Sequence, residues 1–341
     1  MIMTLGILTA VAAGIMLGLY ALPEKYTKDF EFENTWGLMF LINMLVVPVI
    51  AGFVLVDGFG DIIGSLSSSI LLPMAIASLA WGIGVMLWGK AINYIGLSLG
   101  FSIFIGTVIL VGSLLPFLVD GLPPNNVFMT ILGGIFVVLI GVIANGRAGM
   151  LRQADEKEGL VTTRGQSAMS TGIAIAVGGG LLATGFSYAN AAGRPAIHAA
   201  SQAAGNPDWV TAVVVMFVIY VAGALFVMPY FLYQLSKKNL WGKFRTPAFG
   251  KNLLLTTVMA VLNFAASVTF AYAAFNLGDA GNTVGYAIFN TVCVAVAIIT
   301  GLVTGEWKNA SGKARSMLYI GLAAMVLGVI IIAAGNGMGA M

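Results

Sequence analysis

Charge is what this chain has least of. Only 9% of its 341 residues are Asp, Glu, Lys or Arg, against about a quarter in an ordinary soluble domain. Cysteine and histidine occur once each, as Cys293 and His198. A lone cysteine excludes an internal disulfide framework. All 13 Asp and Glu residues fall between the apolar runs or near their ends. An ionisable group at the centre of a membrane helix would be the first functional nomination, and the sequence offers none. Nor does it offer a buried carboxylate pair, a His or Cys cluster, or a Ser–His pairing inside a span. Hydrolysis within a membrane therefore lacks its acid, base, nucleophile and metal, and an ion channel lacks its charged rings. The reading is of a protein that is not an enzyme, with no cofactor, no metal and no nucleic-acid partner.

What is present is apolar length. Apolar residues make up 59% of the chain, and a span needs roughly 20 of them in a row. Ten such runs fall near residues 5–22, 35–55, 66–89, 96–119, 126–145, 170–190, 209–234, 252–275, 284–304 and 316–335. Backbone in lipid must satisfy its own hydrogen bonds, so each run predicts a helix. Residues 1–22 have no basic start and no clear cleavage site before Pro23-Glu24-Lys25; they read as a retained first helix rather than a signal peptide.

The few positive charges are placed unevenly. Alternate gaps hold Lys25 and Lys28; Lys90; Arg147, Arg152, Lys157 and Arg164; Lys237, Lys238, Lys243, Arg245 and Lys251; and Lys308, Lys313 and Arg315. The other gaps hold only Arg194. The positive-inside rule puts the basic gaps in the cytoplasm and both termini outside a multi-pass membrane.

The fold class read from this pattern is an all-α polytopic membrane protein, ten helices in a five-plus-five inverted repeat. Residues 1–145 form the first repeat, 146–169 a cytoplasmic linker and 170–341 the second repeat. Pro48 and Pro229, Asn93 and Asn276, Ile103-Phe104 and Ile288-Phe289, and Thr107 and Thr291 recur in order at nearly constant separation. An odd number of helices per half turns one half upside down, the layout of many secondary transporters. Gly14 with Gly18, Gly96 with Gly100, and Gly301 with Gly305 are spaced for close helix packing. Gly178-Gly179-Gly180 reads as packing, because no strand precedes it and no P-loop lysine follows.

Within the spans polarity is neutral and aromatic. Asn43, Trp81, Trp88, Asn93, Asn190, Tyr272 and Asn290 are the candidate substrate ligands. Buried amides need partners, and a neutral polyol supplies both donors and acceptors. Each also has an ordinary alternative: Asn bonds neighbouring helices, and Trp81 and Trp88, seven apart, share a face that core packing would use equally. Trp36, Trp209, Trp241 and Trp307 sit near span ends as interface anchors. Alternatives at the level of function are an exporter of small apolar metabolites and a non-transporting scaffold.

The chain resembles the L-rhamnose–proton symporters, a branch of the drug/metabolite transporter superfamily. The likeness is carried by Trp81-Gly82-Ile83-Gly84, by the stretch from Ser187 to Pro195 with His198, and by Gly305-Glu306-Trp307-Lys308-Asn309-Ala310. It implies ten helices in a bacterial inner membrane, with a deoxyhexose such as L-rhamnose and a proton as the transported partners. It also draws attention to Asn190, Arg194 and His198. The family pattern includes an acidic residue at the start of the ninth helix, where this chain reads Asn282-Thr283, with Asp279 slightly earlier. Three expectations follow: Asp279 substitutes for it, a carboxylate at another span end such as Glu33 does, or the protein is a facilitator without proton coupling. Glu33, Asp279 and His198 are the proton-coupling candidates.

Overall fold

A computed structural model describes residues 2–95, 97–120, 122–156, 166–278, 281–305 and 307–339. The described residues are helical, with no strand among them. Nine helical segments among them are long and apolar enough to cross a membrane. The first is α1 (Ile2–Leu19) with the 3-10 turn after it. The second is bent: α2 (Phe32–Leu41) passes through a π turn at Ile42–Val46 into α3 (Val47–Leu55). Pro48 explains the bend, since its missing N–H and its ring cannot continue a regular ladder onto Met44. A short α4 (Phe59–Ser65) leads to α5 (Ser68–Ile95). Then come α6 (Leu97–Asp120) and α7 (Asn125–Glu156). In α6 the described apolar stretch is shorter, Ile103–Gly112.

The second half begins with α8 (Gln166–Ala183) and α9 (Gly185–Ala203). It continues through α10 (Asp208–Lys237), α11 (Phe249–Asn276), a π turn at Gly281–Gly285, α12 (Tyr286–Val303) and α13 (Gly312–Gly339).

The packing is paired. α1 lies against α11 and α12, α8 lies against α5 and α6, and α7 lies against α13. Glycines set these distances. A Cβ on Gly14 would fall 2.7 Å from Val292, and one on Gly18 would fall 2.6 Å from Val296. Gly179 meets Gly84, and Gly180 meets Thr107, so two of the three glycines in this run are packing surface, while Gly178 faces open space. Gly134, Gly141, Gly321 and Gly328 line the α7–α13 seam. Gly305 does otherwise: its φ of +81° makes it a turn. Gly96 lies outside the described residues.

The five basic segments share one end of the bundle. Lys25 bonds Thr304, Lys28 meets Asn252, Lys243 pairs with Glu31, and Arg152 stacks over Trp307. Gly89, beside Lys90, lines one cavity with Lys238.

Two expectations change. The sixth span does not stop at residue 190; after a break at Thr184, α9 continues to Ala203. Arg194 and His198, expected in a solvated outer loop or on a short amphipathic helix from 194 to 205, sit on α9. Trp36 and Trp307 are not interface anchors: they are buried, 5% and 8% exposed, whereas Trp209 and Trp241 are exposed.

The position of α9 depends on Gly185. A Cβ there would lie 2.2 Å from the Ala77 carbonyl oxygen of α5, which is backbone and cannot swing aside. Gly185→Ala is expected to lower the thermal midpoint of the purified chain, overpacking costing about 1–3 kcal/mol. An unchanged midpoint would show that α9 is not held against α5 at this point.

Candidate functional site

Two cavities lie on either side of a layer of aromatic rings. Trp81 of α5 contacts Phe186 of α9 at 5.5 Å and Tyr220 of α10 at 5.3 Å between centroids. Tyr220 meets Phe264, Phe186 meets Phe270, and Phe270 stacks on Phe289 at 4.7 Å. Such contacts fix ring positions better than aliphatic packing does.

A hydrogen-bond chain crosses this layer. Asn43, in the π turn, donates from Nδ2 to Asn263 Oδ1 at 2.9 Å, and the Tyr220 hydroxyl reaches the same oxygen at 2.9 Å. Tyr220 also bonds Ser267 at 2.5 Å. Asn43, Tyr220 and Ser267 are buried, yet Asn43 Oδ1 has no partner among the described residues. The π turn positions Asn43 for this, and such turns often occur where a side chain must be re-aimed.

The first cavity lies where α9, α10 and α11 meet, away from the basic end. Asn190, Arg194, Asp208, Thr211 and Tyr272 line it with Val215 and Phe275. Asn190 is fully buried, and neither Nδ2 nor Oδ1 has a partner among the described residues. A buried amide with both ends unpaired is costly, roughly 1–3 kcal/mol for each group left unmet. The space beside it is about 10 Å³, room for about one water molecule. The cavity must widen to take anything larger. His198 lies beside it, its Nδ1 3.0 Å from the Thr211 hydroxyl, its Nε2 4.0 Å from Asp208, and its ring 4.7 Å from Phe275.

The second cavity opens toward the basic end between α2, α5 and α10, with a volume of about 340 Å³. That is within the range of small-molecule sites, about 300–1,000 Å³. Trp36, Phe40, Trp88, Tyr230 and Phe231 form its walls. At its mouth Glu33 pairs with Lys238. Glu24, a loop residue by sequence, accepts a 2.6 Å bond from Trp36 Nε1 behind this wall. Its place in a basic loop gave no sign of that partner.

The seven expected ligands do not converge on one cavity. Asn190 and Tyr272 line the first, and Trp88 lines the second with Glu33. Trp81 and Asn43 belong to the layer between. Asn290 donates to the Tyr286 carbonyl at 2.9 Å, the ordinary bond to its own helix. The side chain of Asn93, and Asp279 altogether, lie outside the described residues.

Both ends carry the same device. At the basic end the buried Asn252 brackets one residue, accepting from Lys28 N at 3.1 Å and donating to Lys28 O at 2.7 Å. At the other end Asn206 brackets Asp57, accepting from its N at 2.9 Å and donating to its O at 2.8 Å. Each bracketed residue is followed by one of positive φ, Asp29 at 62° and Gly58 at 67°.

The family model described as L-rhamnose-proton symport protein (RhaT) matches residues 1–340. An L-rhamnose-proton symporter of Salmonella typhi is 27% identical over 342 residues, spanning 97% of this chain and 98% of that protein. One from Yersinia pestis (strain Pestoides F) is 26% identical over 341 residues, 97% of each chain. A third, from Citrobacter koseri, is 27% identical over 342 residues, 97% of this chain and 98% of that protein.

Proposed function

The chain belongs to the L-rhamnose-proton symporter family, and from that premise we propose that it imports L-rhamnose or a similar deoxyhexose together with protons. It acts in a bacterial inner membrane with the basic end in the cytoplasm, both termini outside and no enzymatic step. The observation that carries this reading is the family match across residues 1–340. The site chemistry agrees with it. A neutral sugar offers hydroxyls to the unpaired Asn190 amide and an apolar ring face to Trp88 or Trp36, and it asks for no charged partner.

Alternating access between two inverted five-helix halves is the mechanism we infer. Exchanging the halves maps α1 onto α8 and α11 and α12 onto α5 and α6, so the packing of α1 on α11 and α12 has its counterpart in α8 on α5 and α6. The α7–α13 pair maps onto itself. The two asparagine brackets are related in the same way. Asn252 ties the loop after α1 to the start of α11, and Asn206 ties the loop after α9 to the loop after α3. Breaking one set of ties while keeping the other would open one cavity at a time. In this scheme Asn190 and Tyr272 bind sugar from the outside, Trp88 receives it toward the cytoplasm, and Asn43 and Trp81 stand between. Glu33, Asp279 and His198 remain the coupling candidates.

A facilitator is the second reading, favoured by Asn282-Thr283 standing where the family has an acid. One experiment separates them. In proteoliposomes, labelled L-rhamnose is expected to accumulate when an inward proton gradient is imposed. Equilibration without accumulation would establish the facilitator, and the absence of any rhamnose flux would overturn the substrate.

A further inference from the structure

The corner between α12 and α13 holds a third cavity that sugar transport leaves unused. It measures about 330 Å³ and is lined by Leu302, Gly305, Trp307, Lys308, Arg315 and Tyr319. Trp307 forms its floor, buried among Ala148, Ala310, Ala314 and Leu318. Arg315 is held in place by a 2.6 Å bond from Nη2 to the Lys308 carbonyl, and its buried Nε has no partner among the described residues. No carboxylate lines the cavity among the described residues; Glu306 lies outside them. Two further cations flank the corner: Arg152 lies 5.0 Å over the Trp307 ring, and Lys25 bonds Thr304 at 2.9 Å.

We propose that this cavity binds the phosphate headgroup of an anionic phospholipid, with Arg315 and Lys308 on the phosphate and the acyl chains along α12 and α13. A basic cavity with a fixed guanidinium is suited to phosphate, which takes a planar fork of donors. What selects a lipid over a free anion is the neighbouring surface. Val303 is 82% exposed, and Ile299, Tyr319 and Ile320 beside it are about half exposed, within the spans. The cavity therefore opens onto an apolar wall that faces the bilayer. Basic pockets at the cytoplasmic ends of membrane helices hold anionic headgroups in this way.

The test uses the full chain purified in a neutral detergent. Native mass spectrometry would follow retention of dioleoylphosphatidylglycerol, with dioleoylphosphatidylcholine and inorganic phosphate as the other probes. Phosphatidylglycerol should be retained in preference to phosphatidylcholine. Lys308→Gln should weaken its binding about fivefold and the pair Lys308→Gln with Arg315→Gln about 25-fold, while Lys308→Arg keeps it. Lys308 is exposed, so the single variant reports even where the double variant fails to fold. Equal retention of the two lipids would overturn the proposal, as would wild-type binding by Lys308→Gln. Displacement of phosphatidylglycerol by millimolar inorganic phosphate would make this a free-anion site instead.

Discussion

Asn190→Leu should lose L-rhamnose uptake and at the same time make the protein more stable. The two effects normally oppose one another for a core residue, and their combination distinguishes a binding group from a structural one. Asn190 is fully buried, and both of its amide atoms lack partners among the described residues. Leucine has a similar volume and no polar atoms, so it removes unmet hydrogen-bonding capacity without leaving a cavity. The gain is about 1 kcal/mol or more, read as a higher thermal midpoint in detergent. In transport the same change removes one donor and one acceptor from the sugar. Two neutral hydrogen bonds of about 0.5–1.5 kcal/mol each correspond to a rise in KM of about 5- to 150-fold. Measuring the two quantities side by side decides the matter. A lower midpoint with unchanged KM would return Asn190 to the core and leave Tyr272 and Arg194 to define that cavity.

The sequence makes the spans legible because lipid imposes one rule, a long apolar run, that each segment satisfies alone. It fails where a helix breaks that rule for the sake of its neighbours. α9 carries Arg194, His198 and Gln202 on one face, so a hydropathy reading ends the sixth span too early. The helix survives because His198 meets Thr211 and Gln202 meets Asp208, both on α10. The amides show the same limit. Asn43 and Asn290 look alike in sequence, yet one joins α11 through Asn263 and the other bonds its own helix. Tyr220 lies in an unbroken apolar run and gave no sign of its bonds to Asn263 and Ser267. Asn206 and Asn252 read as loop and helix-end residues, because the residues they bracket are far away in the chain. Positive charge was more informative. It is long-ranged in its effect on insertion, and the basic segments do gather at one end.

Glu33→Gln should abolish accumulation of L-rhamnose while leaving exchange of rhamnose across the membrane intact. Glu33 stands in the first turn of α2. Lys238, at the end of α10, pairs with its carboxylate across the mouth of the larger cavity. If Glu33 couples the proton to the sugar, the pair gives it the dependence that coupling requires, because it can form only while the two helix ends meet at this mouth. The pair is partly exposed, at 13% for Glu33 and 51% for Lys238, so its strength in stability terms is small and screened. Its effect on transport need not be small, since it acts through the order of steps. Glutamine imitates the protonated state permanently. With one proton per sugar, wild type should reach about a tenfold concentration ratio for each unit of inward pH gradient. The variant should stop at equal concentrations inside and out. Lys238→Gln should also accumulate poorly, because the pair is then lost from its other side. If Glu33→Gln accumulates sugar as wild type does, coupling passes to Asp279, to His198, or to Glu24 behind Trp36, and the Glu33–Lys238 pair is only a tie between two helix ends.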